Sequence, residues 1–411
     1  MQNIIVMSHL RWNFVHQRPQ HLLSRLAAHY RILFFEEPVF HPRNHLAAIY
    51  EPHPNVMVWT PHTPVDTPGF HDDQLPYLQP LMRQLGLDYP EHMVWFYTPL
   101  ALPLMDELNP ALVIYDCMDE LAAFKNSPKQ LLQRENALFK VADVVFTGGP
   151  SLFRAKRERH PNVHCFPSSV DTAHFARAVN RANSHPAHAA IPPPRLGYYG
   201  VIDERLDMAL LAGLADVHPE WQLILVGPVV KIGVADLPQR PNIHYLGQQP
   251  YADLPRFLAG WDVCLLPFAR NQSTRFISPT KTLEYMAAEL PIVSTDIADV
   301  IELYGEAVAI ARDANEFIAA CESALQTTQQ QRTVKIEAMR RLVATSSWEN
   351  TAEQMRGLLA EAANNKIACQ SQVNLPIYDG EAAARTDDTA RFPLPNATRI
   401  ILKAAHKRTD G

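Results

Sequence analysis

Ser278, Lys281 and Glu284 recur at intervals of three in RFISPTKTLEYMAAELPIVST, residues 275–295. A hydroxyl, an ammonium and a carboxylate at that spacing share one side of a helix. Ser278 suits an N-cap and Pro279 the first helical position. The helix is therefore expected to open there and to turn Leu283, Met286 and Ala287 toward a sheet. Taken alone, Lys281 and Glu284 would be an exposed pair contributing about 0.2–0.5 kcal/mol. Their position argues for more. The stretch follows an apolar strand pattern, VCLLP, and a polar loop, FARNQSTRFIS, so the helix mouth should face the strand's carboxyl edge. Free N–H groups and the helix dipole favour an anion at such a mouth. A lysine in the first turn opposes that dipole unless an anion lies between them.

A second element points to the same place. LGYYGVIDERLDMALL puts a turn after a strand and sets Arg205 near the start of the next helix. Its competing reading is a solvated, charged helix face. Together Arg205 and Lys281 can neutralise a diphosphate, with Ser278 and Thr280 beside it and Glu284 accepting hydrogen bonds from ribose hydroxyls.

The elements that would position these residues are short β-branched or aromatic runs alternating with helical patterns. NIIVM, RILFF, VMVW, MVWFY, LVIY and DVVFTG occupy the first half, and LGYYG, WQLILVG, IHYLG, DVCLLP, PIVST and AVAI the second. Such alternation implies α/β architecture with parallel sheets. Between the halves, ARAVNRANSHPAHAAIPPP (176–194) has no periodicity and ends in three prolines, which suits an interdomain linker. The expected organisation is a domain over 1–175, a linker over 176–194, a second domain with terminal helices over 195–365, and a tail over 366–411. With 411 residues, two cores are expected rather than one. Two doubly wound sheets would leave a ligand cleft at their carboxyl ends.

Several functions are argued against by what the chain lacks. Its net charge of −6 speaks against a nucleic-acid binder. No G-x-G and no Walker pattern occurs, which weakens a hydride-transfer reading even though Glu36 and Glu37 end the second strand. C-x-x-C, H-E-x-x-H and D-x-D are also missing, so no metal is expected. The five scattered cysteines read as core thiols of a reducing cytoplasm. No signal peptide and no membrane-spanning run is expected. Two basic stretches, LFRAKRERH and the final RIILKAAHKR, would allow peripheral contact with anionic lipid, the first being equally a solvated helix surface.

NIHYLGQQPYADLPRFLAGWDVCLLPF followed by SPTKTLEYMAAELPIVST resembles the donor-binding half of GT-B glycosyltransferases, nearest the retaining family 4 group. VADVVFTGGPSLFRAKRERHPNVHCFPSSVDTAHF resembles the end of that group's first domain, with Val170, Asp171 and Phe175 in the element leading to the linker. SHLRWNFVHQRPQHLLSRLA and LVIYDCMDELAAF look like a bacterial branch associated with cell-surface polysaccharide synthesis. The resemblance covers about residues 1–362. It implies two Rossmann-like, doubly wound parallel-sheet domains facing a cleft, and transfer of a sugar from a nucleotide-diphosphate sugar to a glycan or lipid-linked acceptor.

Carried over residue by residue, the family's ribose-binding glutamate falls on Glu284 and its diphosphate-binding lysine nearest Arg205. Its usual arginine falls on Val201, and the first glutamate of its paired motif falls on Phe276. Backbone N–H groups around Ile277 and Ser278 would then help hold the sugar. Asp116 and Asp119 in YDCMDE follow a strand aimed at the cleft and are expected to act there, against the alternative of a helix cap. His9, Arg11, Trp12 and Arg18, with Gln17, belong to the loop after strand one and are expected to line the acceptor side or the cleft, Arg18 gripping an acceptor or donor phosphate, against the alternative of solvated loop residues. The implied enzyme is retaining and metal-independent. It needs no cofactor beyond its donor (a UDP-sugar favoured over a GDP-sugar) and works in the cytoplasm or at the inner membrane face. A non-catalytic nucleotide-sugar-binding subunit and a GT-B sugar epimerase stand as alternatives.

Overall fold

The computed structural model describes residues 1–42, 47–125 and 127–373, with side chains through 368, and residues 1–367 form one compact unit. The C-terminal basic stretch and most of the 366–411 tail lie outside the described residues.

The first sheet contains β1 (Gln2–Ser8), β2 (Tyr30–Glu36), β3 (Val39–Phe40), β4 (Ala47–His53), β5 (Val56–Thr63), β6 (His92–Phe96), β7 (Leu112–Cys117), β8 (Val144–Thr147) and β9 (Val163–Cys165). Their order is β3-β5-β2-β1-β6-β7-β8-β9, all parallel, with β4 antiparallel on β5. The second sheet contains β10 (Arg195–Tyr199), β11 (Gln222–Val226), β12 (Ile243–Tyr245), β13 (Val263–Leu266), β14 (Ile292–Thr295) and β15 (Ala309–Ala311). It is parallel throughout, in the order β12-β11-β10-β13-β14-β15. In each sheet the chain winds outward one way, then returns to wind the other. The reversals fall between β1 and β6 and between β10 and β13. Crevices at the carboxyl ends of such reversals are where doubly wound sheets receive ligands.

Burial of both faces explains why these strands read as continuous apolar runs. Along β1, Ile4 and Val6 enter one core while Ile5 and Met7 enter another, the period-two alternation of a strand covered on both sides. The second domain has its own core, in which Trp261 packs under the Leu196–Tyr199 segment.

Two segments depart from the expected organisation. The stretch 176–194 forms short 3₁₀ turns that pack on the second domain. Ala178 and Ile191 enter that core, the Arg181 guanidinium pairs with Asp262 at 2.7 Å, and His185 stacks on Phe257 at 4.1 Å. Lack of periodicity marked it as irregular but did not reveal these tertiary anchors. The last helix, Trp348–Val373, does not remain with the second domain. Ala352, Met355, Leu359 and Ala362 lie along one face and complete the first domain's core. Arg25–Glu349 (2.6 Å) and Lys366–Asp143 (2.8 Å) tie the same helix to the first domain. Helical periodicity reports an apolar face, not which sheet it covers.

His21 illustrates the packing. Its ring lies parallel to Trp348, with centroids 5.0 Å apart, and burial (then the neighbouring His16, Arg25 and His174) lowers its pKa to about 2. Below about pH 6.5 the unfolded chain takes up a proton there that the folded chain refuses. His21 therefore contributes stability that is present above pH 6.5 and is lost as pH falls. His21→Phe keeps an aromatic stack but removes the linkage. Its melting temperature should drop less between pH 7.5 and 5.0 than that of the wild type. Equal drops would show that His21 is not the linked group.

Candidate functional site

A cavity of about 700 Å³ opens between the carboxyl edges of the two sheets. Residues 12–18, Met118, Asp119, Gly148 and Ser168 form its first-domain wall. The second-domain wall comes from the ends of β10 and β11, residues 248–251, Leu254 and residues 277–281 with Glu284.

Two glycines create the room. Gly200 (φ +134°) and Gly227 (φ +149°) end β10 and β11 side by side in conformations that disfavour other residues. A Cβ on Gly227 would lie 1.9 Å from the Gly200 carbonyl oxygen, and one on Gly200 would lie 3.0 Å from Lys281 Cε. The lysine thus reaches across bare backbone. Its Nζ sits 5.3 Å from the Tyr198 ring centroid and 5.5 Å from that of Phe268. Burial and, next, the Arg205 charge lower its pKa. Glu284 is buried one helical turn on, and its Oε2 accepts a 2.5 Å hydrogen bond from the Tyr199 hydroxyl. Burial raises its pKa against the opposing effects of Tyr199 and Lys281. The exposed-pair reading of these two residues therefore fails.

The helix itself begins later than expected. It runs Lys281–Ala287, with Thr280 in helical conformation as its N-cap and no side-chain cap. The Thr282 and Leu283 N–H groups close tight turns on the Pro279 and Thr280 carbonyls. Thr280 Oγ1 instead donates to Ser168 Oγ of the first domain at 2.9 Å, a tertiary use of a residue placed where a cap could sit. Ser278, Thr280 and Lys281 all line the cavity. The Ile277 N–H is already bonded to the Thr274 carbonyl (3.2 Å), so it is not free for a ligand.

Arg205 also lines the cavity. Its Nε and Nη2 grip the Asp203 carboxylate at 2.8–3.0 Å, and the Phe124 ring of the first domain lies 5.6 Å from its Cζ. Val201 is on the same wall. Phe276 is not. It packs against the first domain's core with the Arg275 guanidinium 5.0 Å from its ring, so the position expected to contact sugar faces away.

The first-domain candidates separate sharply. Asp119 lines the cavity, and burial raises its pKa against Arg205, Arg18, Lys231 and Lys281, in falling order. Asp116 lies behind the wall, fully buried. It accepts from Arg18 Nε and Nη2, each at 3.0 Å, while Arg18 Nη1 donates to the Phe166 carbonyl at 2.8 Å. Asp116 thus holds Arg18, which lines the cavity, rather than facing a ligand. Trp12 lines the cavity too, its backbone N–H donating to the Glu36 carboxylate at 2.7 Å. Arg11 is committed to the Glu36 carboxylate (3.2 Å) and the carbonyls of Glu37 and Pro38, off the cavity wall. His9 is off that wall as well, its pKa lowered to about 4 by burial and then by Lys231.

Sequence reasoning missed the patch of His16, Gln248, Gln249 and Tyr251, where the His16 and Tyr251 rings meet across the cleft at 4.3 Å. Nothing local in the sequence signals it. The strand-end glycines of LGYYG and LILVG were visible signals not used. The basic stretch LFRAKRERH is largely neutralised. Arg154 pairs with Glu302, Lys156 with Glu120 and Glu135, and Arg159 with Glu135. Among the described residues no three His, Cys, Asp or Glu side chains converge as a metal-holding group, and no helix is long and apolar enough to cross a membrane.

Comparison with known proteins agrees with this geometry. Residues 193–327 match the family described as Glycosyl transferases group 1. A protein of Bacillus subtilis (strain 168) named as a teichuronic acid biosynthesis glycosyltransferase, TuaH, is 24% identical over 282 residues, taking in 56% of this chain and 69% of that protein. Among solved structures, sucrose-phosphate synthase from Thermosynechococcus elongatus aligns with a TM-score of 0.68 at 18% identity, over 88% of this chain and 99% of that one. HepE of Anabaena in complex with UDP-glucose aligns with a TM-score of 0.67 at 14% identity, over 88% of this chain and 100% of that one. The fold is therefore that of the GT-B glycosyltransferases. With a group 1 domain over residues 193–327, the chain is a glycosyltransferase.

The Arg18–Asp116 pair makes a testable claim about the first-domain wall. Asp116→Ala leaves a guanidinium buried without its carboxylate, which should cost roughly 3–5 kcal/mol in denaturant unfolding. A loss below about 1 kcal/mol would show that the pair does not hold this wall.

Proposed function

We propose that the protein transfers a glycosyl unit from a nucleoside-diphosphate sugar, UDP-linked in preference to GDP-linked, to a hydroxyl of a glycan or lipid-linked acceptor. One observation carries this reading. A half-buried ammonium, a clamped guanidinium and a buried carboxylate (Lys281, Arg205 and Glu284) share one wall of an interdomain cavity. Cations arranged for a diphosphate beside a carboxylate for a diol suit a nucleotide donor. A volume of about 700 Å³ is also in the range of small-molecule sites.

Bond cleavage leaves negative charge on the departing diphosphate, and cations fixed in a poorly solvated site stabilise that charge without reorganising. The configuration is retained. The acceptor hydroxyl approaches on the face the diphosphate leaves, forms the new C–O bond, and passes its proton to a leaving phosphate oxygen. No strong side-chain base is then required. Asp119, on the opposite wall, orients the acceptor hydroxyl, and its raised pKa suits an orienting role. No metal is needed while Lys281 and Arg205 carry the countercharge. The contact between His16 and Tyr251 narrows the cleft and helps exclude water, limiting donor hydrolysis.

The likeness to TuaH, named for teichuronic acid biosynthesis, supports a place in polysaccharide synthesis. Phe276, turned from the cavity, keeps a binding-only subunit as the second reading, because it leaves the sugar without the acidic contact expected there.

Thermal-shift screening with UDP- and GDP-sugars tests the reading. A cognate donor should raise the melting temperature by mass action. Lys281→Ala and Glu284→Ala should each abolish most of that rise. A shift unchanged in both variants would remove the assigned donor site. Donor binding with neither transfer nor slow hydrolysis would favour the binding subunit.

A further inference from the structure

Position 201, on the phosphate-facing wall, carries valine, so Arg205 and Lys281 are left as the second domain's cations lining the cavity. The structure brings a third cation beside them. Beyond the ends of β10 and β11 the two chains stay paired. Ile202 bridges Val229 in parallel, the Ile202 N–H donates to the Pro228 carbonyl at 2.9 Å, and the Val230 N–H donates to the Ile202 carbonyl at 3.0 Å. This pairing delivers Lys231 to the rim of the wall that holds Val201 and Arg205.

Lys231 adopts φ +65°, a left-handed conformation uncommon for a residue with a Cβ, and its side chain is exposed. Nevertheless it is held. Its Nζ lies 4.6 Å from the Phe124 ring centroid, and the same ring faces the Arg205 guanidinium at 5.6 Å. Two cations of the second domain therefore converge on one aromatic ring of the first. Like charges gathered this way repel unless an anion joins them. Arg205 has Asp203, whereas Lys231 makes no ion pair with a carboxylate among the described residues. Asp119, on the facing wall, feels both charges. Lys231 thus stands beside the cavity wall without a carboxylate in direct contact, open to an anion held by Arg205 and Lys281.

We propose that Lys231, aimed by Phe124, is a further phosphate-binding residue of the donor pocket and supplies the charge that Val201 does not. The inference rests on the donor reading above and extends it in two ways. It adds a ligand-contacting cation from the loop after β11. It also makes Phe124 a positioning residue by which the first domain completes the second domain's diphosphate site.

Calorimetric titration of the full chain with UDP, GDP, uridine and guanosine tests it. For whichever nucleoside diphosphate the wild type binds, Lys231→Ala should weaken binding by about tenfold, the scale of one charge-assisted contact, and leave the matching nucleoside within about twofold. Lys231→Arg should keep most of the affinity. Phe124→Leu should weaken the diphosphate selectively, with Phe124→Tyr restoring it. Adding Val201→Arg to Lys231→Ala should recover most of the loss, which a mere folding defect would not allow. An unchanged ratio of diphosphate to nucleoside affinity in Lys231→Ala would overturn the inference. So would an effect confined to the acceptor's KM, which would place Lys231 on an acceptor anion instead. A wild type that binds none of the four ligands would instead overturn the donor reading itself.

Discussion

A half-buried ammonium group that has no ion-paired carboxylate among the described residues is the constraint on which the rest of this cleft depends. Lys281 is enclosed by the Tyr198 and Phe268 rings and the bare backbone of Gly200. Removing a charge from water is costly unless something compensates it. Aromatic faces offset part of that cost. Glu284, one turn away, is spent on the Tyr199 hydroxyl. The Glu284, Asp203 and Asp119 charges offset more of it through space, and a ligand that brings negative charge would add to them; the features around Lys281 make sense as provisions for one. Strand-end glycines clear its path, Asp203 orients Arg205, and the cavity closes over all three.

The second domain alone would leave this site half open. Contacts from the first domain finish it. Ser168 meets Thr280, the Phe14 carbonyl accepts from the Gln248 side chain, and Phe124 lies under Arg205. Elsewhere along the interface the Ser151 N–H donates to the buried Asp299 carboxylate at 3.0 Å. The last helix crosses back to pack on the first sheet, so the domains are linked twice by the chain as well as by contacts.

Much of this was legible in the sequence, and the failures share a cause. The alternation of apolar runs and helical patterns exposed both sheets because parallel strands buried on two faces leave a plain signal. Lys281, Glu284 and Arg205 could be singled out because each belongs to the loop or helix start that follows a strand, and strand ends in this architecture face the ligand. Asp116 was read as a site residue for the same reason. Its partner, Arg18, lies 98 residues away, and no local pattern reports a buried ion pair at that distance. Local chemistry allows Ser278 as a cap, but the helix starts at Lys281 and the Thr280 hydroxyl bonds to Ser168 across the cleft instead of capping. Lys231 was invisible for a third reason. Its place depends on a short pairing beyond the strand ends that apolar periodicity does not encode.

The most direct test is a crystal structure of the protein with bound UDP-sugar. The diphosphate should lie against Lys281 and Arg205, with the ribose hydroxyls hydrogen-bonded to Glu284 and the transferred sugar directed toward Asp119. A nucleotide found elsewhere in the cleft, with Lys281 and Glu284 untouched, would contradict the donor assignment at its centre.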